Sequence, residues 1–148
     1  MPSKPSLSSV SILIATWFGA GYLPKAPGTW GSLFCLPFAW VFFVAGGEFA
    51  LILAACGAFF IGLWASHKFS MKTGMDDAPA IVIDEVAGQW LVLGVSFTFI
   101  SASIIWSIIA FSAFRMFDIL KPWPINLLEK KIRGSLGVML DDIGAAIY

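Results

Sequence analysis

An all-α protein embedded in a membrane is the fold class this sequence predicts, and three observations predict it. Hydrophobic residues fill 59% of the 148 positions and DEKR only 12%. That charged fraction is about half the roughly 25% of an ordinary soluble domain, too few charges to cover a water-exposed globule. Long charge-free runs occupy 33–45, 49–65 and 86–114. These runs are continuous rather than alternating, so they lack the period-2 pattern of a closed barrel, and a helix is the remaining way to satisfy backbone groups in hydrocarbon.

Taken in order, the first element expected is an N-terminal helix over 7–18, ending near Gly19 and Gly21. Residues 1–15 hold one lysine and a serine-broken apolar stretch with no small-residue cleavage site after it, unlike a cleaved signal peptide. The runs 33–45 and 49–65, with 29–32 added in front, read as two helical arms of similar length around a Gly46-Gly47 turn. As one straight helix, 86–114 would be about 43 Å long. That exceeds one crossing of ~20 residues and falls short of two. Ser101-Ala102-Ser103 near its middle marks a second turn.

Charge placement favours turning back. If 86–114 crossed once, Arg115, Lys121, Lys130, Lys131 and Arg133 would face the opposite side from Lys68 and Lys72, against the positive-inside tendency. Turned back, it leaves every charged residue except Glu48 on one face. The layout expected is a single domain over 1–148: an N-terminal helix, two short hydrophobic helical hairpins inserted from the cytoplasmic side, and a polar site at that face.

Several function classes drop out. Nine basic and nine acidic residues leave no net field to hold a nucleic acid. Cys35 and Cys56 lie inside apolar runs without disulfide or zinc spacing and read as two small buried hydrophobes. His67, the single histidine, ends an arm beside Lys68 and reads as interfacial. Neither cysteine begins a Cys-x5-Arg loop, no Asp-x-Asp exists, and one histidine cannot serve a two-histidine lipid phosphatase. The Asp-Gly-x-x-Ala-Arg run of CDP-alcohol phosphotransferases is absent as well.

Three polar clusters remain. The first is Tyr22-Leu23-Pro24-Lys25-Ala26-Pro27-Gly28-Thr29-Trp30-Gly31, where prolines stiffen the backbone, glycines permit close approach, and Lys25 and Thr29 can reach a phosphate oxygen. The second, Asp84-Glu85, opens the long apolar run. The helix dipole alone favours carboxylates there, yet an acid pair at a membrane boundary costs solvation unless it is paired or holds a cation. Asp76 and Asp77 look like solvated loop charges. The third places Arg115, Asp118 and Lys121 at helical spacing before Pro122 and Pro124 end the helix, and Arg133 precedes a second acid pair, Asp141-Asp142. An ion-pair network stitching helix ends together is the structural alternative.

Together the clusters offer Asp84, Glu85, Asp118, Asp141 and Asp142 as hard oxygen ligands and Lys25, Arg115, Lys121 and Arg133 as anion holders. This set suits magnesium better than zinc or a transition metal. Phosphoryl transfer needs mainly positioning and charge neutralisation, so a cation-dependent phosphatase acting on a phosphorylated lipid is chemically coherent.

The blocks Pro24–Gly31, Ile83-Asp84-Glu85-Val86-Ala87-Gly88, the run from Phe114 through Arg115, Asp118 and Lys121 to Pro124, and Gly137-Val138-Met139-Leu140-Asp141-Asp142 resemble the phosphatidylglycerophosphatase A family in order and spacing, from about residue 12 to the end. The resemblance implies a bacterial inner-membrane enzyme that uses magnesium to remove the terminal phosphate of phosphatidylglycerophosphate. It places Lys25, Gly28, Thr29, Asp84, Glu85, Arg115, Asp118, Lys121, Asp141 and Asp142 in signature blocks without assigning roles. On that footing Glu85, Asp118 and Asp142 are expected as metal ligands, and Asp84 and Asp141 as support or as a base for water. Lys25, Arg115 and Lys121 are expected to neutralise the phosphate, with Gly28, Thr29 and Arg133 helping to bind the substrate. The nucleophile stays open between water and a carboxylate, with the missing Asp-x-Asp favouring water. In similar proteins an apolar segment follows the final Asp-Asp, whereas here only 143–148 do. Two alternatives remain: a phosphatase for another phosphorylated lipid such as phosphatidate, or a small membrane transporter or scaffold.

Overall fold

The computed structural model describes residues 6–75 and 78–147; Lys4, Asp76 and Asp77 lie outside them. Among the described residues every regular element is helical: α1 (Val10–Ala15), a 3-10 turn (Ala20–Tyr22), α2 (Pro27–Phe34), α3 (Leu36–Thr73), α4 (Ile83–Phe99), α5 (Ile104–Leu120), α6 (Ile125–Lys131) and α7 (Gly134–Ile147).

The N-terminal helix is shorter than the sequence suggests. Trp17 and Phe18 take positive φ angles of 48° and 55° before Gly19 at 91°, so the helix stops at Ala15 and the chain turns sharply. Thr16 stabilises that turn, donating from its hydroxyl to Ile12 O at 2.7 Å and accepting from Gly19 N at 3.2 Å.

The Gly46-Gly47 turn is present inside α3. Gly46 (φ −161°, ψ 23°) and Gly47 (φ 69°, ψ −160°) break the helical path, and Gly47 needs the left-handed region that glycine enters freely. Trp90 Nε1 donates to Cys35 O at 3.0 Å and Phe43 packs edge-to-face against Phe97, so arm 36–45 runs alongside α4 in the same direction. Ile52 lies against Gly94 and Ile83 against Gly62, so arm 48–73 runs the opposite way. The chain therefore reverses at the two glycines. The arms are unequal, however. Cys35 separates α2 as its own helix, which shortens the first arm, while burial of Phe69 and Ser70 carries the second past residue 65 to the left-handed cap at Gly74.

A second reversal joins α4 and α5. Ser103 caps α5 by accepting from Trp106 N at 3.2 Å. Phe114 packs at Gly88, while Trp106 and Ile100 share one groove at the other end. Leu120 ends α5 because Lys121 is left-handed (φ 45°) and Pro122 follows. Among the described residues one stretch, Pro27–Thr73, is long and apolar enough to cross a membrane by length and composition, and the reversal at Gly46-Gly47 folds it into two arms. At 17 residues each, α4 and α5 span about 26 Å, short of a ~30 Å hydrocarbon core.

Phe69, Phe114, Leu51, Leu93, Met139 and Val86 are fully buried where the α3 arms, α4, α5 and α7 meet. Cys35 is buried with them, but Cys56 is exposed on the outer face of the second arm, contrary to the expectation for that residue. His67 is exposed, as an interfacial residue would be.

Candidate active site

Four helices bring their ends to one cleft of about 490 Å³, opposite the two reversals. Its walls carry Asp84 and Glu85 from α4, Arg115 and Asp118 from α5, Lys121 just beyond, Asp142 from α7, Arg133 from the turn before α7, and Gly28 from α2.

Local sequence explains each placement. Val82 N donates to Ala15 O at 2.8 Å, anchoring the strap before α4, and Gly21 lies so close to the Ala80 carbonyl that a side chain would not fit. Asp84 and Glu85 then fall in the first turn of α4, where the macrodipole favours carboxylates. Arg115, Asp118 and Lys121 lie three apart along one face of α5 and its end. At α2, Pro27 supplies the preset φ of a first-turn residue. Gly28 lets the backbone approach Glu85: a Cβ there would meet the carboxylate and stand 3.2 Å from Arg115 Nη2.

Burial makes this arrangement costly without a cation. Asp84, Asp118 and Asp142 are 7%, 8% and 3% exposed, and a buried carboxylate must be paired, ligated or protonated. Arg115 supplies one pairing. Its Nη1 donates to Asp118 Oδ2 at 2.7 Å and stands 3.7 Å from Glu85 Oε1. Asp84 has no such partner. Burial first, then the negative charges of Asp142 and Glu85, push its carboxyl well above the ordinary range. Burial also raises Glu85, with Arg115 acting in the opposite direction.

One oxygen each from Asp84, Glu85 and Asp142 lies within 4.8 Å of the others. Asp84 Oδ1 and Glu85 Oε2 are buried and accept no hydrogen bond. Hard, converging, unsatisfied oxygens beside an open cleft could hold a divalent cation. Asp118, expected from sequence as a ligand, is instead turned onto Arg115, while Asp84, expected as support or base, stands in the group of three. The structure thus brings together Gly28, Asp84, Glu85, Arg115, Asp118, Lys121, Arg133 and Asp142. Lys25 is exposed and Thr29 half-buried, and neither lines the cleft. Asp141 lies on α7, but its side chain is outside the described residues.

Sequence reasoning passed over three features. Ala78, Pro79 and Ile81 form a wall of the cleft, for which the Ala-Pro-Ala run before α4 was a signal. Gly137 sits against the Ile132 carbonyl, so only glycine lets α7 close beneath Arg133. Gln89, one turn below Glu85 on α4, is wholly buried with neither amide atom hydrogen-bonded.

The sequence profile of Phosphatidylglycerophosphatase A matches residues 13–148. A Phosphatidylglycerophosphatase A from Haemophilus influenzae is 37% identical over 145 residues, covering 98% of this chain and 87% of the relative. One from Escherichia coli is 33% identical over 148 residues, covering 98% and 82%. A Bacteroides thetaiotaomicron protein, provisionally named a phosphatidylinositol-3-phosphatase, is 35% identical over 153 residues, covering 95% and 89%. No solved structure matches the chain.

Proposed function

The chain belongs to the phosphatidylglycerophosphatase A family of lipid phosphatases, and from that premise we propose that it hydrolyses the terminal phosphate monoester of phosphatidylglycerophosphate, releasing phosphatidylglycerol and inorganic phosphate. The observation that carries this reading is the convergence of Asp84, Glu85 and Asp142 in a cleft that Arg115, Lys121 and Arg133 also line. Such a site matches an anionic phosphate bound through a cation on one side and basic side chains on the other.

Asp84, Glu85 and Asp142 would hold magnesium, which when bound supplies charge neutralisation and a water of lowered pKa. The chain's own residues do the rest. Asp118 fixes the Arg115 guanidinium, whose Nη2 faces Gly28, so the cation of the side chain is preset for phosphate oxygens rather than searching for them. The first turn of α2 borders the same cleft through Ala26, Pro27 and Gly28, and the Gly28 amide, free of an intrahelical partner by position, suits a further phosphate oxygen. Lys121 and Arg133 add positive charge to the cleft wall. Asp141, next to Asp142, is kept as support or base on sequence grounds alone.

A membrane setting is supported by the outer faces of the helices. Val44, Phe49, Leu53, Phe60, Phe99 and Ile104 are large apolar side chains left exposed on the arms and at the reversals, as suits faces turned to lipid. With the basic residues gathered at the cleft end, the positive-inside tendency supports two hairpins inserted from the cytoplasmic face, with the active site on that side.

The test is phosphate release from defined lipids by purified protein, with and without magnesium, with the products identified by mass spectrometry. Phosphatidylglycerophosphate should be consumed and chelation should stop it. The Bacteroides relative's name favours a second reading, in which another phosphorylated lipid is the substrate. Turnover of phosphatidylinositol 3-phosphate or phosphatidate in preference to phosphatidylglycerophosphate would establish that reading. No release from any lipid would favour a transporter or scaffold.

A further inference from the structure

A second cavity, about 310 Å³, opens between α4, α5 and the end of α7, and the reaction does not use it. Its walls include Val92, Ala110, Ala113, Phe117 and Ala146, an apolar lining. We propose that this groove holds an acyl chain of the substrate lipid, resting on the lipid-phosphatase reading of the neighbouring cleft.

Proximity to the cleft along shared helix faces carries the argument. The same three helices build both, and on each helix the groove residues follow the polar ones along one stripe. On α4, Val92 lies seven positions beyond Glu85, two turns on the same face and about 10 Å along the axis. On α5, Phe114 and Ala110 lie one and two turns from Asp118. On α7, Ala145 and Ala146 follow Asp142 by three and four positions. Between the two cavities Gly88 is closed against the Phe114 ring and the Asp142 carbonyl, where a Cβ would stand 2.7 Å from the ring, so the path from one to the other runs over the outer surface of the helices.

An amphiphile with a phosphate at one end and hydrocarbon at the other has this polarity. Its charged end meets Arg115, Lys121 and Arg133, and its tail meets alanine and aromatic walls. About two turns of helix, roughly 10 Å, separate the two ends, a distance the uncleaved part of a headgroup can bridge along the outer surface. Val95, Trp106 and Ile109 on the groove rim are exposed, so a chain could enter sideways without threading through the cleft.

Ala113→Leu and Ala146→Leu would narrow the groove while keeping good helix formers in place. Each should lower kcat/KM on a dipalmitoyl phosphatidylglycerophosphate about tenfold or more relative to its dibutyryl analogue, the scale of a methylene-sized misfit in an apolar pocket. An unchanged chain-length ratio in both variants overturns the proposal. The wild-type protein gives a test independent of variant folding: phosphatidylglycerophosphate and phosphatidylcholine, each with a photoreactive acyl chain, are compared in vesicles of matched composition. The phosphorylated probe should label peptides containing 104–120 or 134–147 well above the phosphatidylcholine probe. Equal labelling by both would assign the groove to bulk lipid, and labelling elsewhere would equally overturn the acyl site. Failure of the parent reading looks different, because the wild-type protein would then release no phosphate from either chain length.

Discussion

Gly28→Ala isolates the contact between α2 and the acid group. A Cβ built at residue 28 stands 3.0 Å from Glu85 Cδ and 3.2 Å from Arg115 Nη2, and closer still to Glu85 Oε1. Ordinary contact begins near 3.4 Å, so the carboxylate must retreat by about an ångström or the two helices must part. Neither is cheap, because Glu85 is held by the α4 backbone and sits beside Arg115. A misplacement of about 1 Å at a reacting centre costs on the order of 100-fold in rate, and that is the loss expected in kcat/KM for phosphate release. The fold should survive, since residue 28 lies in the first turn of a short helix and alanine is accepted in a helix. Gly57→Ala is the matched control: nothing lies within 4 Å of its Cβ, so it should change helix stability in the same direction and leave activity alone. Parallel assays of magnesium-dependent phosphate release and thermal unfolding in detergent would compare them. Full activity in Gly28→Ala would refute the placement of Glu85 against α2, and an equal loss in Gly57→Ala would trace the effect to helix changes in general.

Three further outcomes follow from the same geometry. Asp142→Asn should raise the magnesium concentration for half-maximal activity about tenfold or more, whereas Asp118→Asn should reduce turnover about 10- to 100-fold through a loosened Arg115 while cation binding by calorimetry stays near that of the native protein; equal cation loss in both would return Asp118 to the ligand set. Gln89→Met should stabilise the protein, because it removes a buried amide with no hydrogen bond, worth about 1–3 kcal/mol, for a side chain of similar volume; a lower unfolding temperature would mean that the amide is engaged. Asp84 and Glu85 have raised pKa values in the fold, so in chelator their contribution to stability is full below the unfolded carboxyl value of about 4 and fades as pH rises through the raised values. Unfolding temperature without cation should therefore fall as pH rises above the unfolded carboxyl value and recover with magnesium, and a rising profile would show that the pair is already neutralised.

What could be read from the sequence was whatever local spacing enforces. Gly46-Gly47 announced a reversal because two glycines interrupt an apolar run, and Ser101–Ser103 did so because 29 residues are too many for one crossing. Arg115, Asp118 and Lys121 were legible as neighbours because three-residue steps on a helix leave no other arrangement. The bend at Trp17 and Phe18 was not legible, since left-handed backbone at two aromatic residues is stabilised by tertiary contacts, here Trp17 packed on Phe38 and Trp90. Nor was the length of the second arm, which burial of Phe69 extends beyond the charges that seemed to end it.

The assignment of acids shows where spacing runs out. Asp84 and Glu85 are adjacent, so on a helix they point about 100° apart, and sequence alone suggests that only one of them can face a shared ion. What brings both to it is that α4 begins at Ile83. In the first turn the two carboxylates are at the helix mouth, with α7 closing from one side and α5 from the other, so their oxygens reach a common point near Asp142. Asp118 has the same chemistry and similar burial, yet its place three residues after Arg115 gives it a nearer claim on a guanidinium than on a cation. On the proposed reading, an acid serves as a ligand where it lacks a basic neighbour on its own helix, and Asp84 lacks one on α4.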